Sequence, residues 1–187
     1  MRASSAVWSV FAVALMALAS CGPGPKPAPS APAAPKSTPE RASAAQRLFD
    51  QSTRDFHLPS AEATGTRRTT LLDGAAALYR QVLRDYPEQH HWCAQSQRSL
   101  GNVMAEQGDL AGALGQFDAL SRHYPDEEWE ILQAWKSAGD LLWLADLKDE
   151  ARAHYRRIVE RFDQPNRPQV YQLIVQAAKK RQAGPQP

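Results

Sequence analysis

Three segments of the chain decide its fold: YRQVLRDYP at 79–87, FDALSRHYP at 117–125 and YRRIVERFD at 155–163. Each begins with an aromatic residue and carries a second one seven positions later. The segments start at 79, 117 and 155, so the pattern returns every 38 residues. A motif that recurs at a fixed period of this length is typical of a repeat protein.

Small residues upstream of these segments keep the same step. They are Ala75, Ala113 and Ala151, together with Gly101 and Gly139. Small side chains let two helices approach closely, and an aromatic ring fills the space that remains between helices. The proline that ends two of the segments cannot continue a helix. The repeat unit is therefore predicted to be a hairpin of two helices.

Apolar residues recur at helical spacing through most of the chain after residue 40. The stretches predicted to be helical are 68–84, 93–107, 110–123, 127–144, 148–162 and 168–181. Asp109 is a favourable N-cap for the helix that begins at 110. Pro59 and Gly65 interrupt the pattern before the first of these stretches, so we expect a displaced helix at 41–56 and an inserted loop at 57–67.

The second unit resembles the tetratricopeptide repeat (TPR) at its Leu-Gly, Ala, aromatic and Pro positions. These are Leu100, Gly101, Ala113, Phe117 and Pro125, and the third unit matches at Trp135, Gly139, Ala151 and Tyr155. The chain is similar to TPR lipoproteins of the Gram-negative envelope, including BamD-like and Tol–Pal accessory TPR domains. The resemblance implies an all-α fold: a short solenoid of about three hairpins. Residues 168–181 are expected to close it as a capping helix, which repeat arrays require.

The N-terminus is typical of an exported lipoprotein. Arg2 precedes an uncharged apolar run at 6–19, which is shorter than the about 20 residues that a membrane-spanning helix needs. The run ends in Leu18-Ala19-Ser20-Cys21, which resembles a lipobox. Residues 1–20 are therefore interpreted as a signal peptide and Cys21 as the lipidated first residue, with an ordinary secretory peptide as the alternative. By resemblance to the Gram-negative sorting rule, Gly22 favours the outer membrane.

A proline-rich segment follows Cys21. Seven prolines lie between 22 and 40, and such a composition favours extended polyproline II structure with a reach of about 60 Å. We interpret 21–40 as a tether, with a proline-recognition ligand as the alternative. The remaining chain divides into a helical repeat domain at 41–182 and a disordered tail at 183–187.

Composition and motifs argue against several function classes. A net charge of +2 does not favour nucleic acid as a partner, and Cys93 is the single cysteine left after lipidation of Cys21. His90 and His91 near Cys93 lack further residues at ligand spacing, so we predict no metal site and no cofactor. Acidic residues at 126–130 are attributed to a helix N-terminus. No catalytic motif is found, and the chain is predicted not to be an enzyme.

A partner is expected in the concave groove, which helix A lines in the TPR family. The corresponding positions here are Gln95, Arg98, Asn102, Glu106, Gln133, Lys136 and Asp140. Cations aimed into such a groove suit carboxylates, and we expect Arg98, Asn102 and Lys136 to receive an extended or C-terminal segment. A competing basic face consists of Arg152, Arg156, Arg157 and Arg161, and an ordinary polar surface is the further alternative.

These expectations describe a lipid-anchored scaffold that binds other envelope proteins. It is expected at the outer membrane, facing the periplasm. A receptor for a peptide or cell-wall fragment is the first alternative. An accessory regulator of an envelope enzyme, without an active site of its own, is the second.

Overall fold

The computed structural model describes residues 36–183, and that part of the chain forms helices joined by turns, which confirms the all-α fold class. The elements are α1 (Pro39–Gln51), a π-helical segment (Ser52–His57), α2 (Leu58–Ser60), α3 (Gly65–Asp85), α4 (His90–Glu106), α5 (Leu110–His123), α6 (Glu128–Leu144), α7 (Lys148–Phe162) and α8 (Gln169–Ala183). The predicted signal peptide 1–20, Cys21, the tether up to residue 35 and the tail from 184 lie outside the described residues.

The helices pair as hairpins that pack in chain order. The first hairpin joins α1 and the π-helical segment to α3, the second joins α4 to α5, and the third joins α6 to α7. Neighbouring hairpins touch through α3 with α4 and through α5 with α6. The last helix, α8, packs mainly on α7 and closes the array, as expected of a capping helix.

Two glycines set the distance between paired helices. A Cβ built on Gly101 would lie 2.5 Å from Cε1 of Phe117, and one on Gly139 would lie 2.8 Å from Cε1 of Tyr155. Both aromatic rings are almost completely buried, as predicted. The glycine and the aromatic residue of each unit therefore form one contact across their own hairpin, which explains why both keep the 38-residue step.

Most predicted helix ends agree with the structure. Helices α5 and α7 begin and end as predicted, and the Asp109 carboxylate accepts a hydrogen bond of 2.8 Å from the N–H of Gly112. Helix α4 begins three residues earlier than predicted, because the carbonyl of Gln89 accepts from the N–H of Cys93 and adds a first turn.

The predicted loop at 57–67 is wrong in most of its length. The helix continues through the π-helical segment and α2 to Ser60, and α3 already begins at Gly65. The N–H of Leu58 donates to the carbonyl of Thr53, five residues back, which is the π-helical pattern. This shifted pattern ends one residue before Pro59, whose missing N–H then falls in the first turn of α2, where it costs little.

The first hairpin also reverses the packing of the later ones. Here the aromatic residue, Phe56, lies on the first helix and the glycine, Gly74, on the second. A Cβ on Gly74 would lie 2.4 Å from Cδ1 of Phe56. Buried Ser52 donates a hydrogen bond of 2.8 Å to the carbonyl of Ala75 at the same contact. The displaced first helix thus packs as closely as the repeats do, by a different residue pattern.

Candidate binding site

Helices α4 and α6 lie side by side on one face of the array, and an inner cavity of about 310 Å³ lies between them. It is lined by His57, Asn102, Ala105, Glu106, Ser137, Asp140, Leu141 and Leu144. A second space, the α8 cavity of about 180 Å³, is lined by Lys136, Asp140, Tyr155, Ile158, Ile174, Ala177, Ala178 and Arg181. Asp140 borders both, so the two cavities adjoin along this inner face.

Four of the seven predicted groove residues line these cavities. Asn102 and Glu106 line the inner cavity, Lys136 lines the α8 cavity, and Asp140 lines both. The other three, Gln95, Arg98 and Gln133, line neither. They lie nearer the first turns of α4 and α6, and the amide of Gln95 is 2.8 Å from Nε2 of His91.

The cations expected to meet a partner's carboxylate are already paired. Nε of Arg98 lies 2.5 Å from Oε2 of Glu130, whose side chain is almost fully buried. Nζ of Lys136 lies 2.6 Å from Oδ2 of Asp140. A ligand carboxylate would have to displace these internal partners, so the inner face offers less positive charge than the sequence indicates.

The second oxygen of Asp140 is also engaged. Oδ1 accepts a hydrogen bond of 2.7 Å from the hydroxyl of Tyr155. Burial raises the pKa of the Tyr155 hydroxyl, and this hydrogen bond raises it further. The hydroxyl therefore stays protonated as a donor, and Asp140 is held between Lys136 and Tyr155 in the wall that separates the two cavities.

His57 is a cavity residue that sequence reasoning missed. Its Nε2 lies 3.0 Å from Oε1 of Glu106, and its Nδ1 lies 3.2 Å from the hydroxyl of Tyr79. Arg68 donates to the other oxygen of Glu106 at 2.9 Å. The helical period gives no sign of this arrangement, because the π-helical turns rotate His57 away from the direction that an α-helix would give it.

The competing basic face on α7 is largely used within the fold. Arg152 pairs with Asp149 of its own helix, and Arg157 pairs with Asp118 of α5 at 2.9 Å. The Arg157 guanidinium also lies 4.2 Å from the ring centroid of Trp135. Arg161 donates to the carbonyl of Pro125, while Arg156 is exposed. These arginines hold α7 against the preceding hairpin and leave little continuous basic surface.

The Cys93 thiol is buried and donates to the carbonyl of Tyr86 at 3.2 Å. Burial raises its pKa to about 11, which makes the thiolate scarce and supports the packing interpretation. Nδ1 of His91 instead lies 3.2 Å from a carboxylate oxygen of Glu127. Within residues 36–183, no three His, Cys, Asp or Glu side chains converge as a metal site would require.

The acidic residues at 126–130 lie at a helix N-terminus, as predicted. Glu128 and Glu130 fall in the first turn of α6. Glu128 accepts two hydrogen bonds from Arg167, and this pairing lowers the pKa of its carboxyl group. The two carboxylates thus bind different arginines and do not act as a pair.

The chain matches no protein-family model, and no curated protein shows significant similarity to it. In the part of the chain that the structure describes, no helix has both the length and the apolar character needed to cross a bilayer.

Proposed function

We propose that this protein is a lipid-anchored adaptor of the bacterial cell envelope. Cys21 attaches it to the outer membrane from the periplasmic side, and its inner face binds segments of other envelope proteins without catalysing a reaction. The observation that carries the proposal is the pair of adjoining cavities along α4, α6 and α8. Residues that the TPR resemblance assigns to the groove line both of them.

The composition of the inner cavity supports binding of a polypeptide. Ala105 and Leu141 provide apolar surface, and Asn102 and Ser137 add an amide and a hydroxyl at the same cavity. Apolar walls with a few polar groups are typical of ligand sites. Because the nearby charges are paired internally, recognition depends on apolar contact and hydrogen bonds more than on a strong field.

Site-specific photocrosslinking tests this proposal. A photoreactive amino acid is placed at Asn102 in the full chain, and a matched one at Gly115 of α5, an exposed position where an added side chain meets open space. After irradiation of cells, we expect Asn102 to crosslink to a defined envelope protein, which mass spectrometry identifies, and Gly115 not to. Equal crosslinking from both positions would contradict an inner-face site.

The anchor requires a separate test. Cys21→Ser should abolish labelling by palmitate and release the protein from the membrane fraction, because the thioether that carries the lipid cannot form. Cys93→Ser serves as the matched control and should keep both properties, since that thiol is buried in the fold. Labelling of the Cys21→Ser variant at the wild-type level would refute the lipoprotein interpretation.

A receptor for a small peptide or cell-wall fragment is the second candidate. The inner cavity of about 310 Å³ lies at the lower limit of the about 300–1,000 Å³ of small-molecule sites. Binding of purified cell-wall fragments by the full chain, lost in an Asn102→Ala variant, would favour the receptor. Crosslinking from Asn102 to protein alone would favour the adaptor.

A further inference from the structure

Two turns of the protein share one backbone and differ in their side chains. The α4–α5 turn (106–109) and the α6–α7 turn (144–147) are 38 residues apart. In the first, the N–H of Asp109 donates to the carbonyl of Met104 at 2.9 Å. In the second, the N–H of Leu147 donates to the carbonyl of Leu142 at the same distance. Both are Schellman-type helix ends, so each turn serves as a reference for the other.

The α6–α7 turn lacks each stabilising side chain of its counterpart. Where Gly108 adopts a φ of +84°, Asp146 adopts a φ of +63°, a region that costs a residue with a Cβ more than glycine. Where Asp109 caps α5 with its carboxylate, Leu147 stands at the start of α7 and has no capping group. The turn therefore forgoes stability at two positions where the chain itself contains the better residue.

The same turn exposes apolar surface. Leu144, the counterpart of Glu106, is 82% exposed, and Leu147 is 41% exposed. Leu144 also lines the inner cavity, with Leu141 one turn earlier on α6. Exposed leucines in a turn that gives up its cap and its glycine indicate a surface kept for contact rather than for folding.

The charges around these leucines are mainly negative where solvent reaches them. The side chains of Asp146 and Asp149 are 89% and 93% exposed. Lys148 pairs with Asp146, but its ammonium is drawn back over the ring of Trp143, 4.5 Å from the centroid. A partner that approaches the turn meets apolar side chains bordered by carboxylates, which complements an apolar side chain flanked by cations.

The position of the turn favours a protein over a lipid surface. The described chain begins beside Gln89, whose amide donates to Ser37 at 3.0 Å, at the first residues of α4. Leu144 lies with Glu106 at the other end of α4, a helix of 17 residues and so about 25 Å long. The turn thus lies at the opposite edge from the tether, and carboxylates are repelled by anionic lipid.

We propose that the α6–α7 turn is a docking surface for a short segment of a partner protein in which an apolar side chain lies between lysine or arginine residues. Leu141, Leu144 and Leu147 contact the apolar side chain, and Asp146 and Asp149 bind the cations. The proposal rests on the adaptor function and specifies the chemistry of the segment that reaches the inner cavity from this edge.

Selection from a random peptide library displayed on phage tests the proposal with the purified full chain in detergent. We expect peptides with an apolar residue between Lys or Arg. A synthetic peptide of that consensus should bind the Leu144→Gln, Leu147→Gln double variant about tenfold more weakly than wild type, a difference of about 1.4 kcal/mol. Leu173→Gln on α8, where the leucine is 63% exposed, is the matched control and should bind like wild type.

Charge reversal at Asp149 and Glu150 to lysine should turn the preference towards the same peptide with glutamates in place of its cations. Selected peptides without a basic preference, equal binding to the double variant, or no selected peptides would overturn the proposal. So would vesicle binding or a monomer–dimer equilibrium that the double variant abolishes, because the occupant would then be lipid or a second copy. Crosslinking from Asn102 that persists in any of these cases leaves the adaptor function standing.

Discussion

The contact between Gly101 and Phe117 permits a double-mutant test of the repeat packing. Phe117 is fully buried, and a methyl group on Gly101 would lie 2.5 Å from Cε1 of its ring. We consider Gly101→Ala in two backgrounds, wild type and Phe117→Ala. The prediction is that the effect of Gly101→Ala on the free energy of unfolding changes sign between them.

The magnitudes follow from the geometry. Loss of the buried ring in Phe117→Ala should cost about 3–5 kcal/mol. In wild type, Gly101→Ala overpacks the interface by about 1–3 kcal/mol, which exceeds or offsets the about 1 kcal/mol that alanine gains over glycine in a helix. Without the ring the methyl group has room, so the same substitution should then stabilise the protein by about 1 kcal/mol.

Urea unfolding followed by circular dichroism measures all four proteins, with Phe117→Leu replacing Phe117→Ala if the latter does not fold. Gly115→Ala on α5 is the matched control, because an added Cβ meets open space there. It should stabilise both backgrounds by about 1 kcal/mol. If Gly101→Ala changes stability equally in both backgrounds, the glycine does not serve the ring and the packing argument fails.

Three further predictions concern other parts of the fold. Leu147→Asp should supply the missing cap of α7 and stabilise the protein by about 1 kcal/mol, whereas Asp109→Leu should destabilise it by a similar amount; thermal unfolding measures both, and a loss of stability in Leu147→Asp would contradict the comparison of the turns. The hydrogen bonds from Arg41 lower the pKa of the Glu88 carboxyl group from 4.5 to about 2, so its stabilising contribution is present above the higher value and is lost as the pH falls towards the lower one. Arg41→Gln should flatten this part of the stability profile, and an unchanged profile would show that the pair contributes nothing. Because burial raises the pKa of the Cys93 thiol to about 11, iodoacetamide at about pH 8 should label it slowly in the folded protein and quickly in urea, and equal rates would show that the thiol is accessible.

The repeat was predictable because one step of 38 residues links positions that perform one task. Gly101 and Phe117 form a single contact, and so do Gly139 and Tyr155. The first hairpin was not predictable, because Phe56 and Gly74 exchange the two roles and a π-helical segment breaks the period of 3.6 residues. A proline that appears to end a helix is tolerated there because the hydrogen-bond pattern shifts before it.

The site was predictable in position more than in charge. The resemblance to TPR proteins pointed to α4 and α6, and Asn102 and Asp140 do line the cavity between them. It could not show that Arg98 and Lys136 are neutralised by Glu130 and Asp140. The first pair joins residues 32 positions apart, a distance over which helical periodicity makes no statement.

The order of contacts along the array bears on how this protein opens. Within residues 36–183, each hairpin packs substantially only on the hairpin before it and the one after it. In such a one-dimensional arrangement, stability is a sum of local and nearest-neighbour parts, and an end can unfold without disturbing the other end. Helix α8 packs only on α6 and α7, so it can exchange its amide protons through a local opening while α4 and α5 stay folded. The two ends of the molecule are in this sense energetically independent, and a partner that orders one of them need not be sensed at the other.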